Sequence, residues 1–261
     1  MTRCMAILVL FAFLLAGCAV VEPEYTLPPS VYSPEDFHQE GAYLTCNAGS
    51  TGLGIDVSSH QGEIDWQAVA DAGVEFAFVR LGYRGYDSGT LQEDACAQQN
   101  LHGAKKAGIP VGAYFFSQAV SPEEAAQEAT YALEILGQAQ LELPLVYDWE
   151  YISASARTGS VDKKTLTDCT LAFCQAVEAA GYEAMIYANT DQITRRLDME
   201  KLEGYPLWLA KYDLQQDFPC KADLWQYTDE GKVPGISGKV DINLMFTEYG
   251  LGAAYMAGEV E

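Results

Sequence analysis

The sequence is poor in basic residues and in histidine. Its 261 residues include 15 Lys and Arg against 37 Asp and Glu, which gives a formal net charge of −22 at pH 7. Nucleic-acid binding requires basic patches, so this charge balance excludes nucleic acid as a partner. Only three histidines are present and no Cys-x-x-Cys pair occurs, which argues against a zinc site. We therefore expect no metal ion and no cofactor.

The sequence also lacks an apolar run long enough to span a membrane. Residues 5–16 are apolar but too short to cross a bilayer, and Arg3 precedes them, as in a secretory signal peptide. The motif Leu15-Ala16-Gly17-Cys18 follows and resembles the lipobox of bacterial lipoproteins. That resemblance implies a signal peptide over residues 1–17 and lipidation of Cys18, which would attach the protein to a membrane. The alternative is an ordinary secretory signal, and in either case we expect an extracytoplasmic protein.

The cysteines cannot all form disulfide bonds within one chain. Seven are present, and two of them, Cys4 and Cys18, lie in the predicted leader and anchor. The five that remain are an odd number, so at least one thiol is unpaired within a monomer, the oligomeric state that we expect.

Strand and helix patterns alternate through most of the chain. Short apolar, β-branched or aromatic segments are followed by helical segments that begin at capping residues and end at glycine. The strand-like segments are residues 53–58, 76–81, 111–116, 143–151, 184–188, 207–212, 224–227 and 240–245. The helical segments are residues 65–73, 91–107, 121–136 and 161–180.

This alternation implies a parallel sheet with right-handed crossovers. The sequence therefore predicts an α/β fold over residues 53–250, an irregular TIM-like barrel of five β/α units followed by three strands. Residues 18–52 are rich in Pro, Glu, Ser and Tyr and show no helical or strand period, so we predict a lipid anchor and a disordered tether there. We predict a C-terminal tail over residues 251–261, after the barrel domain.

The fourth predicted strand ends in two carboxylates. Side chains alternate along a strand, so Asp148 and Glu150 share one face and Trp149 takes the other. Two residues of strand rise place the two Cα atoms roughly 6.5 Å apart. Each carboxylate disfavours ionisation of the other, so one pKa should rise. A protonated acid beside an ionised one is the pair that glycosidic bond cleavage requires, although such a pair also occurs in structural networks.

Two further acids fit the same arrangement. Asp56 lies on the first predicted strand and Asp241 on the eighth. Catalytic groups of such barrels gather at the C-terminal ends of the strands. Because the first and eighth strands are neighbours in a closed barrel, we expect these two acids to lie side by side, near the pair on the fourth strand.

Several blocks of the sequence resemble the glycoside hydrolase family 25 lysozymes, which are N-acetylmuramidases. The more specific blocks run from Gly54 to Trp66 and from Asp148 to Glu150. Weaker ones are Val79-Arg80, Gly112 to Tyr114, Leu207 to Tyr212, Leu224 to Tyr227 and Val240 to Asn243. The resemblance implies an irregular barrel of five β/α units plus three strands. It also implies hydrolysis of the β-1,4 bond between N-acetylmuramic acid and N-acetylglucosamine in the glycan strands of peptidoglycan.

The resemblance also implies roles for the four acids. Glu150 would be the general acid that protonates the leaving oxygen, and Asp148 its partner, with Asp56 and Asp241 positioning substrate and tuning the pKa of Glu150. The expected carboxyl spacing falls near the divide between retaining sites, at roughly 5 Å, and inverting sites, at roughly 6.5 Å or more. We favour a third route, in which the 2-acetamido oxygen of the substrate attacks while Asp148 holds its N–H.

Aromatic and amide side chains near strand ends are candidates for substrate binding. The predicted set is Tyr83, Tyr114, Trp208, Tyr212 and Gln226. Other strand-end aromatics are Tyr151, Tyr187 and Trp225. For each aromatic the alternative is packing within the barrel. Gln226 suits a contact to an acetamide group, and His60 is expected at the surface.

Two other functions compete with a lysozyme. One is a non-catalytic peptidoglycan- or glycan-binding surface lipoprotein on the same fold, which would not need all four acids. The other is a metal-dependent deacetylase, against which the scarcity of histidine argues.

Overall fold

The computed structural model describes residues 25–49, 51–212 and 220–246. The strands within these ranges are β1 (Phe37–Glu40), β2 (Tyr43–Cys46), β3 (Thr51–Val57), β4 (Phe76–Arg84), β5 (Leu91–Glu93), β6 (Val111–Ser117), β7 (Leu145–Trp149), β8 (Ala184–Asn189), β9 (Leu207–Ala210), β10 (Leu224–Gly231) and β11 (Val240–Phe246). The α-helices are α1 (Trp66–Asp71), α2 (Ala97–Lys106), α3 (Pro122–Leu136) and α4 (Lys163–Ala179).

Eight of these strands close into a barrel. Their order is β3-β11-β10-β9-β8-β7-β6-β4, and β4 pairs with β3 to complete the ring. Neighbouring strands are parallel from β3 through β4, β6, β7, β8 and β9 to β10. Strand β11 is antiparallel to both of its neighbours. The predicted irregular TIM-like barrel is confirmed.

The helices begin where the sequence places capping residues. Asp65 accepts a hydrogen bond from the backbone N–H of Ala68 at the start of α1, and Asp162 accepts one from Thr165 at the start of α4. Ser121 caps α3, which has a proline at its first position. The connection from β8 to β9 carries only a short π-helix, Gln192–Arg196, so the fifth β/α unit is the least regular.

One predicted helix starts later than expected. The sequence analysis predicts a helix over residues 91–107, but Leu91–Glu93 is an edge strand antiparallel to β4, and α2 begins at Ala97. The reason lies in Asp94, whose carboxylate accepts hydrogen bonds from the backbone N–H of Cys96 and from the side chain of Arg80. This turn separates the strand from the helix.

The segment before the barrel differs from the expected disordered tether over residues 25–49. Strands β1 and β2 form a hairpin there, and the ring of Tyr32 stacks on Phe246 with centroids 4.6 Å apart. Leu44 is only 5% exposed, and its N–H donates to the hydroxyl of Tyr227. The apolar side chains of this polar segment become buried because β10 and β11 offer them a partner surface.

Several predictions concern residues outside the described ranges. The signal peptide, the lipidation of Cys18 and the C-terminal tail all fall there. Within the described ranges, no helix combines the length and the apolar character needed to cross a membrane.

The barrel strands separate two apolar clusters. Inward-facing side chains, including Phe78, Val146 and Trp208, fill the barrel, and the rings of Phe78 and Trp208 lie 4.8 Å apart. Outward-facing side chains such as Tyr147 and Trp149 pack against the helices. Because side chains alternate along β7, the side chain of Asp148 points into the barrel as that of Val146 does. It lies above the rings of Phe78 and Trp208, which form the floor of the barrel.

Candidate active site

The four predicted acids come together at one rim of the barrel. Asp56, Asp148, Glu150 and Asp241 line a single cavity of about 200 Å³. Asp56 and Asp241 are directly paired positions on β3 and β11, as the neighbouring-strand argument predicts. Asp241 stands at the start of its strand and not at the end, and it reaches the same rim because β11 runs in the opposite direction.

Asp56 is held by a chain of amide and phenol groups. It is 4% exposed, and its Oδ2 accepts hydrogen bonds from Nε2 of Gln226 at 2.9 Å and Nδ2 of Asn243 at 2.8 Å. Oε1 of Gln226 in turn accepts from the hydroxyls of Tyr187 at 2.8 Å and Tyr212 at 2.7 Å. These bonds fix the amide orientation of Gln226 so that its N–H groups point toward the carboxylate.

Asn243 links this chain to the barrel floor. Its Oδ1 accepts a hydrogen bond from the indole N–H of Trp208 at 2.8 Å, and both side chains are buried. The polar end of a buried tryptophan requires such a partner. Asn243 is therefore oriented from below by Trp208 and presents its amide N–H group to Asp56 above.

The Asp56–Asp241 pair titrates well above the ordinary carboxylate range. Burial raises the pKa of Asp56 to about 6, although the hydrogen bonds from Asn243 and Gln226 lower it. Burial and then the charge of Asp56 raise the pKa of Asp241 to about 8. Two acids on adjacent strands in a buried cleft disfavour each other's ionisation, so this pair retains a proton near neutral pH.

The pair on β7 is perturbed in the same direction. Burial and then the nearby charges of Glu150 and Asp56 raise the pKa of Asp148 well above its usual value, against the opposing charge of Arg80. Burial and then the charge of Asp56 raise the pKa of Glu150. The sequence analysis predicts a raised pKa for one member of the pair, and here both are raised because all four acids share one cavity.

The two acids of this pair differ in their access to solvent. Asp148 is 6% exposed, and its Oδ1 is buried without a hydrogen-bond partner among the described residues. Glu150 lies just beyond the end of β7 and is half-buried. Buried acceptors are nearly always satisfied, so an orphaned one in a cleft is placed to receive a donor from a ligand.

Backbone contacts fix the end of β7. Nε2 of Gln118 donates to the carbonyl of Glu150 at 2.7 Å, and Nε2 of Gln192 donates to the carbonyl of Trp149 at 2.5 Å. The indole N–H of Trp149 donates to the carbonyl of Ala119 at 3.0 Å. These bonds hold the backbone that carries the two acids, a requirement for a preorganised site.

Most of the predicted binding residues line the same cavity. Tyr114, Trp208, Tyr212 and Gln226 are among its walls. Trp208 is only 1% exposed, so it supports the floor and offers no open face to a sugar. Tyr212 is 50% exposed at the mouth.

Three of the strand-end aromatics, of which only Tyr83 belongs to the predicted binding set, lie elsewhere. Tyr83 lines an adjoining groove, Trp225 is buried against Phe37 outside the barrel, and Tyr151 lies under the guanidinium of Arg196. For Trp225 the core-packing alternative is correct, because its ring is 1% exposed.

Sequence reasoning gave no role to Arg80 and Asn243. Both stand in blocks that carry the family resemblance, but neither residue type signals catalysis by itself. Arg80 lines the cavity and pairs with Asp94 at 2.7 Å. His60, expected at the surface, also lines the cavity mouth.

The described residues contain no evident metal centre. Over 25–49, 51–212 and 220–246, no group of three or more His, Cys, Asp or Glu side chains is arranged to hold a metal ion. The thiols of Cys96, Cys169, Cys174 and Cys220 are free. Burial raises the pKa of the Cys169 thiol to about 12 and that of Cys220 to about 11, so neither is a thiolate at neutral pH.

Comparison with known proteins identifies one family. The model of glycosyl hydrolases family 25 matches residues 55–236. The chain is 31% identical over 202 residues to the uncharacterized protein YegX of Escherichia coli K12, which covers 73% of this chain and 68% of that protein. It is 28% identical to lysozyme M1 of Streptomyces globisporus, over 73% of this chain and 66% of that one.

Longer relatives share only part of their length with this chain. The autolytic lysozyme of Clostridium acetobutylicum is 26% identical over 191 residues, which are 73% of this chain and 54% of that protein. The modular autolysin LytC of Streptococcus pneumoniae, solved with a synthetic peptidoglycan ligand, superposes with a TM-score of 0.63 at 27% identity, over 75% of this chain and 47% of LytC. The chain thus spans about half the length of these two relatives.

A second solved structure supports the fold alone. The family 25 glycosyl hydrolase of Bacillus anthracis superposes with a TM-score of 0.66 at 21% identity, over 84% of this chain and 98% of that one.

Proposed function

Because this chain belongs to glycosyl hydrolase family 25, we propose that it is a lysozyme that hydrolyses the β-1,4 bond between N-acetylmuramic acid and N-acetylglucosamine in peptidoglycan. The observation that carries this proposal is the convergence of Asp56, Asp148, Glu150 and Asp241 on one cavity. A protein that only binds glycans does not need four partly buried acids, whose mutual repulsion destabilises the fold.

Glu150 is the general acid in this proposal. It is the acid beyond the end of β7, it is half-buried, and burial and the charge of Asp56 raise its pKa. A carboxyl group of this kind keeps its proton in mildly acidic solution and can transfer it to the leaving glycosidic oxygen.

Asp148 orients the substrate's 2-acetamido group. Its buried Oδ1 lacks a partner within the described residues, and an acetamide N–H supplies one. The acetamide oxygen then attacks the anomeric carbon as the Glu150 proton passes to the leaving group, so the reaction needs no protein nucleophile. Water later opens the resulting cyclic intermediate, with Glu150 accepting the proton from that water.

Two measurements test the activity. Mass spectrometry of digested peptidoglycan is expected to find new reducing ends on N-acetylmuramic acid, and ends on N-acetylglucosamine would exclude this specificity. Glu150→Gln is expected to slow the clearing of a peptidoglycan suspension by about 10²–10⁴-fold, the usual contribution of a general acid. Clearing that survives the substitution would remove Glu150 from its role.

The proposal includes an extracytoplasmic, membrane-attached location. Its support is the lipobox-like motif ending at Cys18 and the substrate, which lies outside the cytoplasm. Cys18→Ser is expected to move the protein from the membrane fraction to the soluble fraction of cell extracts. Retention in the membrane fraction would point to a different anchor.

A further inference from the structure

A buried ion pair lies on the outer side of the barrel wall, away from the four acids. Nε of Arg84, at the end of β4, lies 2.7 Å from Oε1 of Glu128 on α3, and the two side chains are 5% and 0% exposed. Neither residue lines the catalytic cavity. A buried ion pair adds little net stability, because the loss of hydration offsets the attraction between the charges. What the pair holds in place is therefore more informative than the stability it adds.

The carboxylate of Glu128 holds the chain where β6 ends. Its Oε2 accepts a hydrogen bond from the hydroxyl of Ser117 at 2.5 Å, and its Oε1 accepts one from the backbone N–H of Gln118 at 3.3 Å. With Arg84, three buried donors converge on this carboxylate. Burial raises the pKa of Glu128, and the hydrogen bonds from Ser117 and Arg84 oppose this by stabilising the charged form. A buried polar network that is fully satisfied in this way favours one geometry.

The chain that Glu128 holds, residues 117–119, in turn holds the end of β7 at two points. Nε2 of Gln118 donates to the carbonyl of Glu150 at 2.7 Å. The carbonyl of Ala119 accepts the indole N–H of Trp149 at 3.0 Å. We call residues 117–119 the linking segment. A line of hydrogen bonds thus runs from the ion pair, through the linking segment, to the backbone of Glu150.

The β-sheet itself does not hold Glu150. Pairing between β6 and β7 ends with Ser117 opposite Trp149. Pairing between β7 and β8 ends one residue earlier, with Asp148 opposite Tyr187. Because Glu150 lies beyond the last pair, its backbone position depends on the contact from the linking segment.

We propose that Glu128, paired with Arg84, is a positioning residue for Glu150: it fixes the linking segment, and the linking segment fixes the backbone of the acid. The inference rests on the proposed function for the role of Glu150 as the general acid. A catalytic group displaced by about 1 Å can lose about 10²-fold in rate. The walls of the cavity that contact substrate are not part of this line, so its disruption lowers kcat and leaves KM nearly unchanged.

Ser117→Ala cuts the line at one bond and leaves the ion pair in place. On soluble, peptide-free glycan strands, kcat is expected to fall about tenfold while KM stays within about twofold of wild type. Tyr147→Phe is the matched control, because it removes a buried hydroxyl that lies 3.0 Å from that of Ser117 but no bond between Glu128 and the linking segment. Both variants are expected to lower Tm by similar amounts, and only Ser117→Ala is expected to lower kcat.

A double variant tests whether Glu128 acts through the linking segment. Glu128→Gln is expected to lower kcat at least as much as Ser117→Ala. If both act along one line, adding Ser117→Ala to Glu128→Gln lowers kcat no further. Losses that multiply would show two separate effects and overturn the proposal. If Glu128→Gln yields no folded protein, because Arg84 is then a buried unpaired charge, Ser117→Ala and its control decide the question.

A titration of Glu150 separates this inference from the proposed function. Carbon-13 NMR follows its carboxyl group in wild type and in Ser117→Ala, with Glu150→Gln assigning the signal. Burial is the largest cause of the raised pKa of Glu150, so a loosened strand end that admits water is expected to lower that pKa. Both proteins keep the same charged and titratable groups around the cavity, which are Asp56, His60, Arg80, Tyr114, Asp148, Tyr187, Tyr212 and Asp241.

The outcomes of these experiments are distinct. If wild type cleaves no peptidoglycan but the pKa of Glu150 falls in Ser117→Ala, the proposed function fails and the positioning role stands. An unchanged kcat and an unchanged pKa in Ser117→Ala would overturn the positioning role. So would an equal loss of kcat in Tyr147→Phe, because the buried layer would then act only as general support for the fold.

Discussion

The four carboxyl groups at the barrel rim differ in what stabilises their charge. Asp56 accepts hydrogen bonds from two amide side chains, and its pKa rises only to about 6. Asp241, beside it, reaches a pKa of about 8. Asp56 therefore ionises before Asp241 as pH rises, and its charge then favours protonation of the other acids.

Asp56→Asn is expected to shift the alkaline limb of the kcat/KM profile to lower pH. The charge of Asp56 raises the pKa of Glu150, and the proposed acid works only while it holds its proton. The rate of peptidoglycan clearing, measured between about pH 4 and pH 9, gives the pH at which this alkaline limb falls. Asp87→Asn removes one charge from an exposed loop and serves as the control. A limb that stays in place would show that Asp56 does not tune the acid.

Asp241→Asn is expected to make thermal stability less dependent on pH. The native pKa of Asp241 is raised from 3.8 to about 8, so between these values the folded state holds a proton that the unfolded state has released. Folding stability therefore falls as pH rises through this window. The Tm of the variant should drop less than that of wild type from about pH 4 to pH 8, while Asp87→Asn follows wild type. An equal or steeper drop would contradict the raised pKa.

The hairpin before the barrel packs on β10 and β11. The ring of Phe37 contacts the rings of Trp225 and Phe246, and the backbone N–H of Leu44 donates to the hydroxyl of Tyr227. An element that buries this much aromatic surface contributes to the stability of the domain, although it takes no part in the acid cluster.

Leu44→Ala is expected to lower the free energy of unfolding by about 2–4 kcal/mol, because Leu44 is 5% exposed and its removal leaves a cavity. Urea unfolding followed by circular dichroism measures the change. Gln39→Ala on the exposed strand of the same hairpin is the control and should stay within about 0.5 kcal/mol of wild type. Unchanged stability in Leu44→Ala would mean that the hairpin does not pack on the barrel in solution.

Local signals predict some elements well and others poorly. The caps Asp65, Ser121 and Asp162 mark helix starts because they bond their own first turns. The hairpin was missed because its partner surface is distant in sequence: Leu44 contacts Tyr227 from 183 residues away. The role of Asn243 was missed for the same reason, since it contacts Asp56 from 187 residues away in sequence.

The net charge of the whole molecule bears on its encounter with the proposed substrate. The protein has a formal net charge of −22 at pH 7. Intact cell walls carry acidic peptides and accessory polymers. At low ionic strength like charges repel over tens of ångströms, and salt removes this repulsion.

Salt is therefore expected to raise kcat/KM on intact walls. The Debye length falls from about 30 Å at 0.01 M to about 8 Å at 0.15 M, so the rate of encounter should increase over this range. Turbidity clearing measures the effect, and walls stripped of anionic accessory polymers should respond less. A rate that falls as salt increases would indicate attraction between the protein and the wall.

Closure of the barrel has a consequence for biosynthesis. Strand β3 near the start of the chain pairs with β11 near its end, and Asp56 meets Asp241 and Asn243 across that seam. A nascent chain that has not yet released its last strand therefore lacks the complete acid cluster. Such long-range pairing forms late and slowly. Any chemistry that depends on the four acids is thus withheld until β11 has left the ribosome and paired with β3.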